Sequence, residues 1–297
     1  MVMSNMRRPS KKTSLEDKIP SRITDHSSRV QNRLDATFER LKAENKKALI
    51  AYLMAGDPSL AQTEQLVLAM DLAGVDVVEL GVPFSDPIAD GPVIQRAAQR
   101  ALQSGTSLRQ ILELVKSLRE RTNIPIVLML YYNSIFALGH EAFCQAAKEA
   151  GVDGLIVPDM PPDESGPLKG PAEAAGLELI FLLAPTSTPD RRKFVARESH
   201  GFVYYVSLTG ITGAKLTNIA DVGENVKKIR KVAGTPIAVG FGVATPEDAA
   251  NVAKVADGVI VGSAIVRLIE SCREGRDMIG EVVEFVKSLK SAMAAQS

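Results

Sequence analysis

The chain has 297 residues, 45% of them hydrophobic, with 35 Lys plus Arg against 35 Asp plus Glu. That length accommodates one α/β barrel of about 250 residues and an extension, and the charge balance gives no global reason to expect nucleic acid or an anionic membrane as partner. The longest apolar runs, such as residues 48–55, fall far short of the ~18 residues that a membrane span needs.

The charge is unevenly spread. Residues 1–30 carry seven basic and three acidic side chains and are rich in Ser, so a disordered basic tail is expected there. A targeting segment is the alternative, opposed by Glu16, Asp17 and Asp25. A cytoplasmic chain is expected, or a plastid one if residues 1–30 are a targeting segment. Residues 31–297 read as one catalytic domain. Cys144 and Cys272 have no CxxC spacing, and His26, His140 and His200 are scattered. These are expected to be reduced structural thiols and no metal site.

In chain order, QNRLDATFERLK (31–42) places Leu34, Phe38 and Leu41 on one face, as an extra helix lying across the N-terminal end of a barrel would. Eight apolar runs follow: ALIAYLMA (48–55), VDVVEL (75–80), IVLMLY (126–131), GLIVP (154–158), LELIFLL (177–183), FVYYVS (202–207), PIAVG (236–240) and GVIVG (258–262). Amphipathic segments lie between them; Leu108, Ile111, Leu112, Val115 and Leu118 make one helix face. Near-continuous apolar strands alternating with helices imply parallel βαβ units. Eight such units favour a single closed (β/α)8 barrel, with an open doubly wound sheet as the alternative. The stretches AGVDVVEL, AGVDGLIVP and VADGVIVGS share their punctuation. Gly74, Gly151 and the Asp257–Gly258 step are read as helix C-caps turning the chain into the next strand.

Barrel chemistry belongs at the C-terminal ends of the strands. In VVELGVPFSDPIADGP (77–92), Glu79 sits in an apolar run and Asp90 follows on a loop stiffened by Pro83, Pro87 and Pro92. Val75, Val77 and Glu79 are expected on one face. A carboxyl facing the lumen would have its pKa raised by burial, into the range useful for proton transfer. Two carboxylates in unlike environments can then divide acid and base roles. Taken singly, each has a structural alternative: Glu79 as a glutamate satisfied by its neighbours, Asp90 as ordinary turn chemistry. Gly240, Phe241 and Gly242 after the seventh run, with Gly262 and Ser263 after the eighth, could cradle a phosphate or merely form tight turns. SLTGITGA (207–214) could hinge over a ligand or be a simple flexible loop.

Together, ELGVPFSDPIADGPVIQ, YLMAGDP (52–58), VSLTGITGA (206–214), VGFGV (239–243) and VGSAIV (261–266) resemble the tryptophan synthase alpha chain family over residues 31–297. The resemblance implies a TIM barrel that cleaves indole-3-glycerol phosphate to indole and glyceraldehyde 3-phosphate. Glu79 would be the acid/base and Asp90 the second catalytic carboxylate. Tyr204 would line the indole pocket, and Thr212 would position Asp90. Gly213, Phe241, Gly242, Gly262 and Ser263 would hold the phosphate end. Tyr52 stands where many relatives carry Phe, adding a hydroxyl to an apolar wall. The family implies no cofactor in this chain, and a pyridoxal-phosphate beta chain as partner in an α2β2 assembly, touched near Pro83 and Asp86. Two rivals stay open: another sugar-phosphate barrel enzyme, and a non-catalytic activator of the beta chain.

Overall fold

The computed structural model describes residues 32–206, 219–240, 242–272 and 277–295. The apolar runs form parallel strands: β1 (Ala48–Met54), β2 (Val77–Gly81), β3 (Ile126–Met129), β4 (Gly154–Ile156), β5 (Glu178–Ile180), β6 (Leu182–Leu183), β7 (Val203–Val206), β8 (Ile237–Gly240) and β9 (Gly258–Val261). Their hydrogen-bonded order is β5-β4-β3-β2-β1-β9-β8-β7-β6. The two ends of that order, β5 and β6, are halves of the run read as one strand. Phe181 divides it: its N–H turns to the Ser199 hydroxyl at 3.3 Å, while its carbonyl accepts from Tyr204 N at 3.2 Å. Nine segments therefore make eight staves, and the (β/α)8 expectation holds.

The described helices are α1 (Arg33–Ala43), α2 (Leu60–Leu72), α3 (Pro92–Gln103), α4 (Leu108–Arg119), α5 (Tyr132–Leu138), α6 (His140–Ala150), α7 (Gly166–Ala175), α8 (Pro189–Glu198), α9 (Ile219–Arg230), α10 (Pro246–Ala253), α11 (Ser263–Ser271) and α12 (Met278–Ala294). Eight alternate with the staves. The extras are α1 and three inserts, α3, α5 and α11, each lying between a strand's C-terminal end and the next barrel helix.

Side-chain alternation divides the apolar residues between two cores. Leu49, Ala51, Leu53, Val78 and Leu80 pack outward against the helices. Ile50, Val77, Val127, Ile156 and Ala238 point inward, where Leu34, Phe38 and Leu41 of α1 join them. The expected N-terminal helix thus plugs one end of the lumen, and the other end is left for the site. Val75 departs from expectation. It lies before β2 begins and packs with the outward core, because the alternation of faces starts only at Val77.

The repeated punctuation plays the helix-ending role read in the sequence at two of its three copies. Gly74 (φ 95°) and Gly151 (φ 89°) are left-handed, as C-caps require. Gly258 has no positive φ and lies inside β9, where a Cβ would come within 3.1 Å of Ala238 Cβ. What the three copies share is the aspartate. Asp76 N donates to Leu49 O at 2.9 Å while its carboxylate accepts from Leu49 N at 2.8 Å. Asp153 clasps Ile126 in the same two-way manner, and Asp257 clasps Ile237. Each carboxylate also meets a cation: Lys290 at Asp76, Arg119 at Asp153, Arg230 at Asp257. The device satisfies strand-end amides and sets the register between adjacent staves.

Candidate active site

Parallel register brings Tyr52 of β1 beside Glu79 of β2, and Glu79 beside Val127 of β3. Val127 belongs to the lumen core, so Glu79 faces inward as expected. It is 1% exposed. Its Oε2 is buried without a hydrogen-bond partner among the described residues. Burial, reinforced by the charge of Asp90, pushes the Glu79 carboxyl up to about 8. At neutral pH this acid holds its proton.

Asp90 stands on the loop between β2 and α3 and has a more polar setting. The Tyr131 hydroxyl donates to its Oδ2 at 3.2 Å, and Ala89 N donates to that same hydroxyl at 2.9 Å. Burial raises Asp90 to about 6, and the Tyr131 hydrogen bond opposes the rise. The two carboxyls are therefore offset by environment, one protonated and one ionised near neutrality. Tyr131, just past the end of β3, also stacks on Phe84 of the same loop at 5.1 Å between ring centroids. Sequence reading missed Tyr131. Its signal was a tyrosine ending an apolar strand run, which carries no chemistry until the loop folds over it.

Tyr52 and Tyr204 complete the buried wall. Both phenols are raised well above their ordinary value, mainly by burial and then by Glu79 and Asp90. Each ring lies over a glycine of the next strand. A Cβ at Gly81 would meet the Tyr52 hydroxyl oxygen at 2.1 Å, and one at Gly240 would meet the Tyr204 ring at 2.7 Å. In register terms the two contacts match: Tyr52 pairs with Glu79 and covers Gly81, and Tyr204 pairs with Ala238 and covers Gly240. Gly240 thus has a packing reason of its own, whatever its part in a phosphate loop.

The glycine pair after the last two staves is partly described. Gly242 adopts φ 83°, a conformation that favours glycine. Gly262 is the N-cap of α11 and has no side chain to cap it. The first N–H groups of α11, from Ser263 onward, are thus free of a side-chain cap, the arrangement that receives an anion. A Cβ at Gly262 would come within 3.4 Å of the Tyr52 Cβ, so the start of α11 and the carboxyl pocket share a wall. Thr212, Gly213 and Phe241 lie outside the described residues. On the β2–α3 loop, Asp86 is exposed and Pro83 is buried; the large apolar residue presented outward is Ile88, 83% exposed. Among the described residues no group of His, Cys, Asp and Glu could hold a metal ion, and no helix is long and apolar enough to cross a membrane.

Residues 38–294 match the family model of the tryptophan synthase alpha chain. The chain belongs to the tryptophan synthase alpha chain family. The alpha chain of Geobacter sp. (strain M21) is 51% identical over 262 residues, covering 88% of this chain and 98% of the relative. That of Geobacter sulfurreducens is 50% identical, with 88% and 99% covered. The crystal structure of the alpha subunit from Legionella pneumophila superposes with a TM-score of 0.84 at 38% identity, covering 90% of this chain and all of that one. A chain of Mycobacterium tuberculosis tryptophan synthase gives a TM-score of 0.81 at 36% identity, with 89% and 99% covered. For an alpha chain, the site stands at the end of the barrel where its family's fold places chemistry.

Proposed function

We propose that this chain is the lyase that cleaves indole-3-glycerol phosphate to indole and glyceraldehyde 3-phosphate. The observation that carries the reading is a buried Glu79, its Oε2 without a hydrogen-bond partner among the described residues, near an Asp90 held by Tyr131, on a wall shared with an uncapped helix N-terminus. Breaking the carbon–carbon bond is a retro-aldol step. The indole ring must first gain a proton at C3, which puts positive charge toward N1. Glu79 delivers that proton and, as a carboxylate, takes one from the hydroxyl next to the breaking bond. Asp90, held by Tyr131, faces the developing charge at N1–H. Tyr52 and Tyr204 exclude water from the ring. Gly242, Gly262 and Ser263 seat the phosphate, a role the resemblance extends to Gly213 and Phe241, and it gives Thr212 the positioning of Asp90. Phosphate binding, remote from the reacting bond, supplies positioning energy. Each of these steps uses this chain's own side chains and backbone.

The partner in this reading is a beta chain, which carries pyridoxal phosphate and takes up the indole in an α2β2 assembly. Its contact lies on the β2–α3 loop, near the exposed Asp86 and the buried Pro83. The same loop carries Asp90, so docking and catalysis are linked by one segment. Mixing the chain with indole-3-glycerol phosphate tests the reading. Free indole is expected, faster with a beta chain present, and the lack of Trp in this chain keeps the background at indole wavelengths low. Stimulation of a beta chain with no indole released by this chain would instead establish the activator.

A further inference from the structure

A charged clamp stands just outside the acid pocket. Arg100 of α3 grips Asp57, in the turn after β1, through two hydrogen bonds, Nε to Oδ1 at 2.7 Å and Nη2 to Oδ2. Its third nitrogen, Nη1, reaches Glu270 of α11 at 2.9 Å. One turn earlier on α3, Arg96 holds both oxygens of the same Glu270, at 2.9 and 2.8 Å. Asp57 is 3% exposed and the Arg100 side chain 16%, so this is no loose surface pair.

The clamp encloses a small apolar core separate from the other two. Val93, Ile94, Ala97, Ala98 and Ala101 of α3 pack there on Tyr52 and Met54 of β1 and on Val266 of α11. Both helices are inserts rather than barrel staves, and each begins at a different end of the site. The helix α11 starts at the anion seat, Gly262–Ser263. The helix α3 starts two residues after Asp90, and Gln95 from its first turn donates to the Asp90 carbonyl at 2.9 Å.

We propose that Arg100, with Glu270 and Asp57, is a positioning residue that couples the anion seat to Asp90. A phosphate drawn onto the α11 N-terminus fixes that helix. The Glu270 bridges pass the constraint to α3, and α3 carries Asp90 against Tyr131. The inference rests on the proposed roles of the anion seat and of Asp90.

The test is run in the condensing direction, in which indole adds to an aldehyde. The rate with glyceraldehyde 3-phosphate is compared with that for unphosphorylated glyceraldehyde, in the unsubstituted chain, in Glu270→Gln and in Arg100→Lys. Glu270→Gln keeps the shape and removes the charge; Arg100→Lys keeps the charge and removes the fork. The expected result is a loss of about tenfold in kcat/KM with the phosphorylated aldehyde and less than about twofold with glyceraldehyde, the mark of lost positioning. Thermal melts confirm that the variants are folded. Equal losses on both aldehydes, or an unchanged ratio, would overturn the coupling and leave the clamp a stability device. If the unsubstituted chain itself does not prefer the phosphorylated aldehyde, the anion seat is misassigned and the coupling falls with it.

Discussion

The hydroxyl of Tyr52 occupies the space that a side chain at position 81 would fill. Gly81 lies two residues beyond Glu79 on the same inward face of β2, so the phenol sits in the layer directly above the buried acid. Replacing Gly81 by Ala forces the Tyr52 ring to tilt inside a closed pocket. Gly81→Ala is expected to lower folding stability by about 1–3 kcal/mol and to cut indole release. Adding Tyr52→Phe, which removes the atom in closest conflict, should restore part of both. Denaturant melts and turnover of the two single variants and the double variant read this directly, and strict additivity would dissociate the two residues.

Glu79→Gln keeps the shape of the acid and removes its proton chemistry. Turnover is expected to fall by about 10²–10⁴-fold, the range of general acid–base catalysis, while substrate binding is largely kept. Stability gives a second readout. The folded carboxyl is raised from 4.5 to about 8, so burying it is free of charge below pH 4.5 and increasingly unfavourable as pH climbs toward 8. The parent should therefore lose stability over that window relative to Glu79→Gln. Parallel stability–pH curves for the two chains would show that the acid is not buried as described.

A bell-shaped pH profile follows from the two unlike carboxyls. Asp90, raised to about 6, must be ionised, and Glu79, raised to about 8, must be protonated. The rate is expected to fall below about pH 6 and again above about pH 8, with limbs that belong to the coupled pair. A profile flat from pH 5 to 9 would remove the carboxyls from the rate-determining chemistry.

Tyr131→Phe removes the hydrogen bond that lowers the Asp90 pKa. The acid limb should then move to higher pH, because Asp90 holds its proton longer, while the alkaline limb set by Glu79 stays close to its place. Stacking on Phe84 survives the change, so the fold is kept. An acid limb that moves down, or does not move, rules out the bond.

Far from the site, Asp153→Asn tests the strand clasp. Asp153 is 2% exposed and accepts from Ile126 N, Arg33 and Arg119. Losing its charge leaves Arg119 underpaired, and stability should drop by about 3–5 kcal/mol in denaturant titration, with kinetic constants of the surviving folded enzyme little changed.

The order of strands and helices was legible from residue pattern alone, because apolar runs of a buried parallel sheet and the 3.6-residue stripes between them are local signals. So was the plug: Leu34, Phe38 and Leu41 announce one apolar face. Glu79 and Asp90 stood out because a carboxylate in a strand and another behind prolines are chemically unusual at short range. Other features needed three dimensions. Tyr131 lies 41 residues from Asp90 in the chain, and the Arg100–Glu270 bridge spans 170. Nothing local marks either partner. The division of the fifth stave at Phe181, the extended backbone at Gly258 and the burial of Pro83 were likewise settled by neighbours distant in sequence. Pattern reports which face a residue prefers; only closure of the barrel decides which side chains from separate staves meet, and the proton affinities of the acid pair follow from that meeting.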